Sequence, residues 1–453
     1  MMHPVAPIDR FVSIEPKIVP ADSRRTITLM PRCGHRMLDP AKTYAVRQYP
    51  VHRLGADGSY PEVPEQRLRM EQGSLRIAAF FPGEQEHILE LTPVDPTAEA
   101  GASRAGASQA DDGGAAGPAI IVHIYSLRLD LFACLPWRGD LHLHSHYSDG
   151  KESPAFIACE CRRIGLDFMA LTDHHRFAPS LEAAAAFASA PPDMLILPGE
   201  EVHPPDNPVH TVHVGGRRSI NDLFQNERAA YDREVAELER EIPASDPVAR
   251  RQCASTRWVY RRIREEGGFS VFCHPYWRVR RGYDVSTAVT DWIFAQGEYD
   301  ALELFGGYHR FEEDSNTLQA ARYYAEAGAG RQLAIVGNSD SHGCDGSDLF
   351  GFFQSLVFAP RLDFVQIADA VRECRSVAVE ALPGECVRAV GPFRMVEYAL
   401  FLLRHVLPLH DELCAEEALW MLRHIEGDPK AADMLAYFRG RVCALYDQLW
   451  SGT

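Results

Sequence analysis

Hydrophobic and polar positions divide the chain into three textures. From about residue 10 to 137 they alternate as strands do. Residues 76–81 (Arg-Ile-Ala-Ala-Phe-Phe) and 87–91 (His-Ile-Leu-Glu-Leu) flank Pro82-Gly83, which predicts a hairpin turn. Residues 119–132 alternate in part and predict one long strand. The intervening 96–118 is dominated by Ala, Gly, Ser and Asp. It carries too little apolar surface to offset its ordering entropy, so a flexible loop is expected there.

From about 138 to 360, short apolar runs alternate with helical periods. Strands are predicted at 168–171, 194–197, 269–273, 301–305 and 333–336. Helices are predicted at 181–190, 256–266 and 315–327, and a charged helix and loop at 221–255. Ser153-Pro154 reads as an N-cap and first helical position, and Gly267 and Gly328 as C-terminal caps. Such alternation predicts an α/β domain with a parallel sheet or barrel. From about 361 to 453 three amphipathic helices are expected, at 395–407, 416–425 and 431–449. The resulting layout is an N-terminal β-rich domain (1–137), an α/β barrel (138–360) and a C-terminal helical extension (361–453).

Composition changes this picture little. A chain of 453 residues fits one barrel of roughly 250 residues with flanking modules. A net charge of −17 argues against broad nucleic-acid binding while leaving room for a local basic pocket. The eleven cysteines are scattered and lack zinc-knuckle spacing, so reduced thiols in a cytoplasmic protein are expected. No leader pattern opens the chain, and the apolar run 398–407 is too short to span a bilayer, so no membrane partner is expected.

The chemistry lies at the strand ends. The run to Leu171 leads into Asp173-His174-His175, and that to Leu197 into Glu200-Glu201. The run to Cys273 leads into His274 and that to Gly337 into Asp340-Ser341-His342, while the run 301–305 alone ends in no such cluster. In His142-Leu143-His144, period two puts both imidazoles on one side of an extended segment. Parallel strands closed into a barrel bring such ends to one rim. Imidazole and carboxylate donors without thiolates suit zinc, manganese or iron.

Four segments in order resemble the polymerase-and-histidinol-phosphatase (PHP) superfamily of metallophosphoesterases, over roughly residues 138–356. They are Asp140-Leu141-His142-Leu143-His144-Ser145-His146-Tyr147-Ser148-Asp149-Gly150, Ala170-Leu171-Thr172-Asp173-His174, Phe272-Cys273-His274-Pro275 and Gly337-Asn338-Ser339-Asp340-Ser341-His342-Gly343. The resemblance implies a distorted (β/α)7 barrel and two or three divalent metal ions. By it, His142, His144, Glu201 and Asp340 surround one metal and form the catalytic centre. Glu201 bridges to a second metal, completed by His213 and His274, while Asp149, His174 and His342 hold a third. Glu201 is preferred to Glu200 by its place in a Gly-x-Glu pattern. His213 is preferred to His210 because His213-Val214-Gly215-Gly216 looks like the family's His-apolar-x-Gly segment. Asp149 resembles the branch of nucleotide phosphatases and exonucleases.

A metal-bridged hydroxide would then attack a phosphoester of a small phosphorylated molecule or an oligonucleotide end. Arg278, Arg280 and Arg281 are candidate phosphate contacts, since arginine grips phosphate bidentately. His175, His203 and His309 are candidate proton donors. The β-rich domain ahead of the barrel resembles instead a carbaryl-hydrolase-like branch, which implies ester, carbamate or amide hydrolysis at the same site. A third reading is a metal-stabilised binding module without catalysis.

Overall fold

A computed structural model describes residues 7–52, 63–94, 118–279, 281–306, 313–345 and 350–451. The chain divides into two compact units. One comprises His3–Ala133, Leu400–Leu409 and the chain from Val442. The other comprises Cys134–Ala399 and His410–Arg441, preceded by Met1–Met2.

The first unit is built on two sheets. Val12–Glu15, Ser23–Pro31 and Leu75–Phe81 form one. Ile18–Pro20, Ile120–Leu127, Gln85–Val94, Thr43–Pro50 and Gln66–Arg69 form the other. Leu75, Ile77, Ala79 and Phe81 are buried while Arg76, Ala78 and Phe80 face outward, the period-two signature of a sheet with one wet face. With Leu89, Leu91, Val122 and Ile124 of the second sheet they share one apolar core. The turn at Pro82-Gly83 forms, with Gly83 at φ +67°, but it does not close a hairpin. Its flanking strands enter different sheets, because their apolar faces meet across the core instead of side by side. The strand expected at 119–132 stops at Leu127, and Leu129–Phe132 is a short helix. The loop expected at 96–118 lies, apart from Pro118, outside the described residues.

The second unit is mixed α/β with a curled sheet. Its strands are β1 (Leu135–Asp140), β2 (Phe168–Ala170), β3 (Leu195–Leu197), β4 (Gly199–Val202), β5 (Thr211–Val214), β6 (Phe269–Phe272), β7 (Ala301–Phe305), β8 (Ile335–Gly337), β9 (Phe353–Ala359), β10 (Ser376–Glu380) and β11 (Arg388–Val390). Apart from a two-stranded ribbon of Arg278–Val279 and Gly282–Tyr283, one sheet has the order β3-β2-β1-β9-β10-β11 and the other β4-β5-β6-β7-β8. The two adjoin at two seams. A bridge between His174 and Glu201 joins the end of β2 to β4. At the other seam, the Ser355 hydroxyl of β9 bonds the Gly337 amide and carbonyl of β8 at 3.0 and 2.9 Å.

Three strands run parallel in the first sheet (β1 to β3) and three in the second (β6 to β8). β5, in contrast, is antiparallel to both its neighbours. This reversal matters for the site. The region expected to be a helical extension begins with the helix Phe364–Arg372 and then contributes β10 and β11, which continue the first sheet, and its later helices are shared between the two units.

Local signals place the helices. Ser153 caps Pro154–Arg163 by accepting from the Phe156 amide. Pro247–Glu265 starts seven residues or more ahead of the apolar run that predicts it, capped by Asp246, and ends before Gly267 at φ +76°. Glu313–Gly328 runs through Gly328, and Gly330 at φ +81° takes the left-handed position beyond it. The charged span from 221 holds two helices, Asn221–Asn226 and Arg228–Glu239.

Candidate metal centre

The first and last motifs run side by side. Leu143 bridges Ser341 in parallel, and the His144 amide donates to the Ser341 carbonyl at 3.0 Å. Buried Asp140 accepts from the His142 and Ser339 amides, each at 3.1 Å, and so pins both loops. Asp173 is a loop organiser too: its carboxylate takes the amides and hydroxyls of Ser145 and Ser148 at 2.7–3.2 Å. Gly150 is required by the tightness of this loop, since a Cβ there would lie 2.2 Å from the His144 carbonyl oxygen. His274 and Asp340 adopt φ of +30° and +50°, left-handed conformations that side chains rarely take and that cluster at functional sites.

Glu201 is the hub. Six imidazoles approach its buried carboxylate at 2.6–3.6 Å: His142, His144, His174, His203, His210 and His274. Among the described residues neither of its oxygens finds a hydrogen-bond partner, and His142 Nε2 and His144 Nδ1 are likewise buried without one. Asp340 adds a carboxylate 3.2 Å from His142 Nε2 and 2.9 Å from His144 Nε2. Asp149 lies 3.5 Å from His174 and 3.3 Å from His342. Side-chain exposure rises from 0% at His142 to 33% at His342 and 57% at Asp149, so the cluster opens to solvent on the Asp149 side.

The donors fall into overlapping sets whose ligating atoms lie within 4.8 Å of one another: His142, His144 and Glu201; His142, His274 and Asp340; His144, Asp149, His174 and His342. Buried polar atoms ordinarily have partners. Close nitrogen and oxygen atoms that converge without hydrogen-bond geometry fit divalent cations between them.

The charges respond accordingly. Burial opposes protonation of His142, yet Asp340 and Glu303 hold its pKa well above the ordinary histidine value. His174 is raised to about 10 by Glu201 and Asp149 against the same burial. Glu201 is held well below the usual carboxylate range by the surrounding imidazoles, although burial alone would raise it. His203, in contrast, is lowered to about 4 by burial.

The structure brings together His142, His144, Asp149, His174, Glu201, His274, Asp340 and His342. It does not bring in His213. That ring sits 3.2 Å from Glu200, and a Cβ at Gly216 or Gly268 would fall 1.9 or 2.6 Å from its Nε2. Gly216 and Gly268 thus make room for a packed ring, and the expectation that His213 joins the cluster is corrected. The reason is strand direction. β5 runs antiparallel, so the residue before its start reaches the rim where the parallel strands end, and that residue is His210. Its Nδ1 lies 2.9 Å from Glu201 Oε1. Glu200 faces the other way and is saturated by the Ser219 hydroxyl, the Asn221 amide and the Ile220 backbone.

Sequence reasoning also missed Glu303. β7 is the one strand read as lacking a ligand at its end, and its Glu303 carboxylate accepts from His142 Nδ1 at 2.9 Å. A charged residue amid Ala-Leu-Glu-Leu-Phe was the available signal. Arg278 is exposed and pairs with Asp314 at 3.3 Å, and Arg281 is exposed, so neither is placed among the donors. Arg280 and His309 lie outside the described residues.

Comparison with protein-family models and with curated proteins gives no match. Among solved structures the chain is similar to a two-domain Bacteroides vulgatus protein containing a predicted PHP-like metal-dependent phosphoesterase. Identity is 19%, with 54% of this chain and 65% of that one covered and a TM-score of 0.39. It thus spans less than two thirds of that protein's length. A Bifidobacterium adolescentis protein provisionally described as a metal-dependent phosphoesterase matches at 24% identity, over 46% of this chain and 89% of its own, with a TM-score of 0.32. An amidohydrolase from Chromobacterium violaceum matches at 23% identity over the same shares, with a TM-score of 0.30. The neighbours include PHP-like proteins, and likenesses at these TM-scores assign no role to any residue. Among the described residues no helix is long and apolar enough to cross a membrane.

Proposed function

We propose that this chain is a metal-dependent hydrolase, and that it cleaves phosphoesters of small molecules. The observation that carries the reading is Glu201: a fully buried carboxylate without a hydrogen bond among the described residues, ringed by six imidazoles and joined through them to Asp340. Two or three divalent cations held here would supply Lewis acidity and a water made nucleophilic near neutral pH. In this reading His142, His144, Glu201 and Asp340 hold the first ion. Glu201 with His210 and His274 holds the second, and Asp149, His174 and His342 hold the third, at the solvent side.

His175 is exposed at this rim. Burial and neighbouring His203 lower its pKa, so it stands neutral at pH 7 and accepts a proton more readily than it donates one. A second reading, cleavage of a carboxyl ester, carbamate or amide, is favoured by the placement of Arg278 on Asp314 and the exposure of Arg281, so that neither described arginine of that turn stands among the donors.

The test is metal analysis of the purified chain followed by a screen of phosphate monoesters, phosphate diesters and carboxyl esters. Phosphate release that falls at least about a hundredfold in Asp340→Ala is expected. Turnover of carboxyl esters alone would replace the phosphoesterase reading by the second. Intact metal content and turnover in Asp340→Ala would remove the site assignment.

A further inference from the structure

A cavity of about 710 Å³ opens beside the cluster. Its volume falls in the range of small-molecule sites, roughly 300–1,000 Å³. His175 belongs to its wall, and the His175 ring lies 4.7 Å from that of His203 and 6.4 Å from that of His174, centroid to centroid. The cavity is therefore one imidazole away from the proposed ions.

Its lining combines two chemistries. Tyr147, Phe177 and Leu181 present aromatic and aliphatic surface, and Leu181 is 50% exposed. Arg176, Arg217 and Arg218 add three guanidinium groups in a chain whose net charge is −17. Arg217 and Arg218 are engaged by the Glu265 carbonyl and the Glu266 carboxylate. Arg176 is different: among the described residues its side chain makes no hydrogen bond or ion pair, only its amide being held, by the Asp173 carbonyl at 3.2 Å. Of the two carboxylates on the wall, Glu182 already accepts the Tyr147 hydroxyl at 2.7 Å, and the other is Asp222.

We propose that this cavity binds the organic part of the substrate, and that this part is an amphipathic anion: an apolar body against Tyr147, Phe177 and Leu181, with a negatively charged end on Arg176. The proposal rests on the hydrolase reading for the word substrate, whereas the binding chemistry stands on the cavity alone. A guanidinium left without a partner beside apolar surface costs little in water and gains when an anion arrives together with surface that excludes water.

The test is a fluorescence titration of the metal-loaded full chain with 8-anilinonaphthalene-1-sulfonate, which has such a body and charge, and with its neutral counterpart N-phenyl-1-naphthylamine. Arg176→Glu should weaken sulfonate binding by about tenfold and leave the neutral probe unchanged. Leu181→Gln should weaken both. The sulfonate should also raise KM for 4-nitrophenyl phosphate without lowering kcat. Sulfonate affinity indifferent to Arg176→Glu, in a protein that does turn over an ester, overturns the inference and leaves the hydrolase reading standing. Arg176-dependent binding in a protein that cleaves no ester supports the cavity and overturns only the hydrolase reading.

Discussion

Glu303 accepts from the His142 ring and from the Asn338 amide, each at 2.9 Å, inside a strand with no exposed residue. A carboxylate on Nδ1 fixes the tautomer of a histidine and turns its Nε2 lone pair towards a metal. Glu303→Gln keeps the shape and removes the charge. It should weaken zinc or manganese affinity by roughly 10–100-fold in chelator competition while the thermal melt stays near that of the parent. Unchanged affinity would make Glu303 a packing residue only. The pair His210 and His213 gives a second residue-scale contrast. His210→Ala should lower metal content, whereas His213→Ala should leave it intact and cost about 1–3 kcal/mol of stability, by removing one of several hydrogen bonds to Glu200 and leaving a hole where the buried ring packs; metal analysis and denaturant melts separate the two. Both histidines were visible in the sequence as candidates. What period two could not show was the direction of β5, which decides which of them reaches the rim.

At the scale of elements, strands such as β6 and β7 were legible because a short, mostly apolar run bounded by Gly, Pro or Asp leaves few alternatives. Pairing was not legible, since it depends on chain brought from far away. The Pro82-Gly83 turn reads correctly as a turn and wrongly as a hairpin for that reason. Caps fared better, because a cap is satisfied within four residues. Ser153→Ala should cost about 1 kcal/mol, seen as a lower denaturation midpoint, and should disturb the nearby motif loop little. The left-handed His274 and Asp340 could not have been foreseen, because that conformation is imposed by the strands they follow and not by their own preference.

Across the whole molecule, the features furthest from sequence reach are those that join distant segments. Buried Asp167 accepts the Arg138 amide at 3.0 Å, Arg162 at 3.1 Å and His410 Nε2 at 2.8 Å, and Arg162 reaches Glu417 at 2.6 Å. Asp167 and His410 are 243 residues apart. Burial opposes the charge on His410, but Asp167 raises its pKa well above the ordinary value. A group raised on folding binds its proton more tightly when folded, so its stabilisation is complete below the unfolded value of about 6.5 and is lost as pH rises through the folded one. The difference in melting temperature between the parent and His410→Gln should therefore shrink between pH 6 and pH 10. A difference constant over that range would mean that His410 does not carry the charge.

The ring of imidazoles around Glu201 is also a reservoir of protons. His174, with a pKa of about 10, holds a proton at pH 7 that an arriving cation has to displace, and facing carboxylates shift His142, His274 and His342 in the same direction despite burial. Loading the protein with metal should therefore acidify an unbuffered solution, and apparent affinity should climb with pH. In titration calorimetry, the heat of loading should differ between buffers of small and large ionisation enthalpy, in proportion to the protons released. Equal heats in both would show that the donors are already neutral. On this account the empty and loaded forms differ in charge by less than the ions bring, because each cation enters as protons leave.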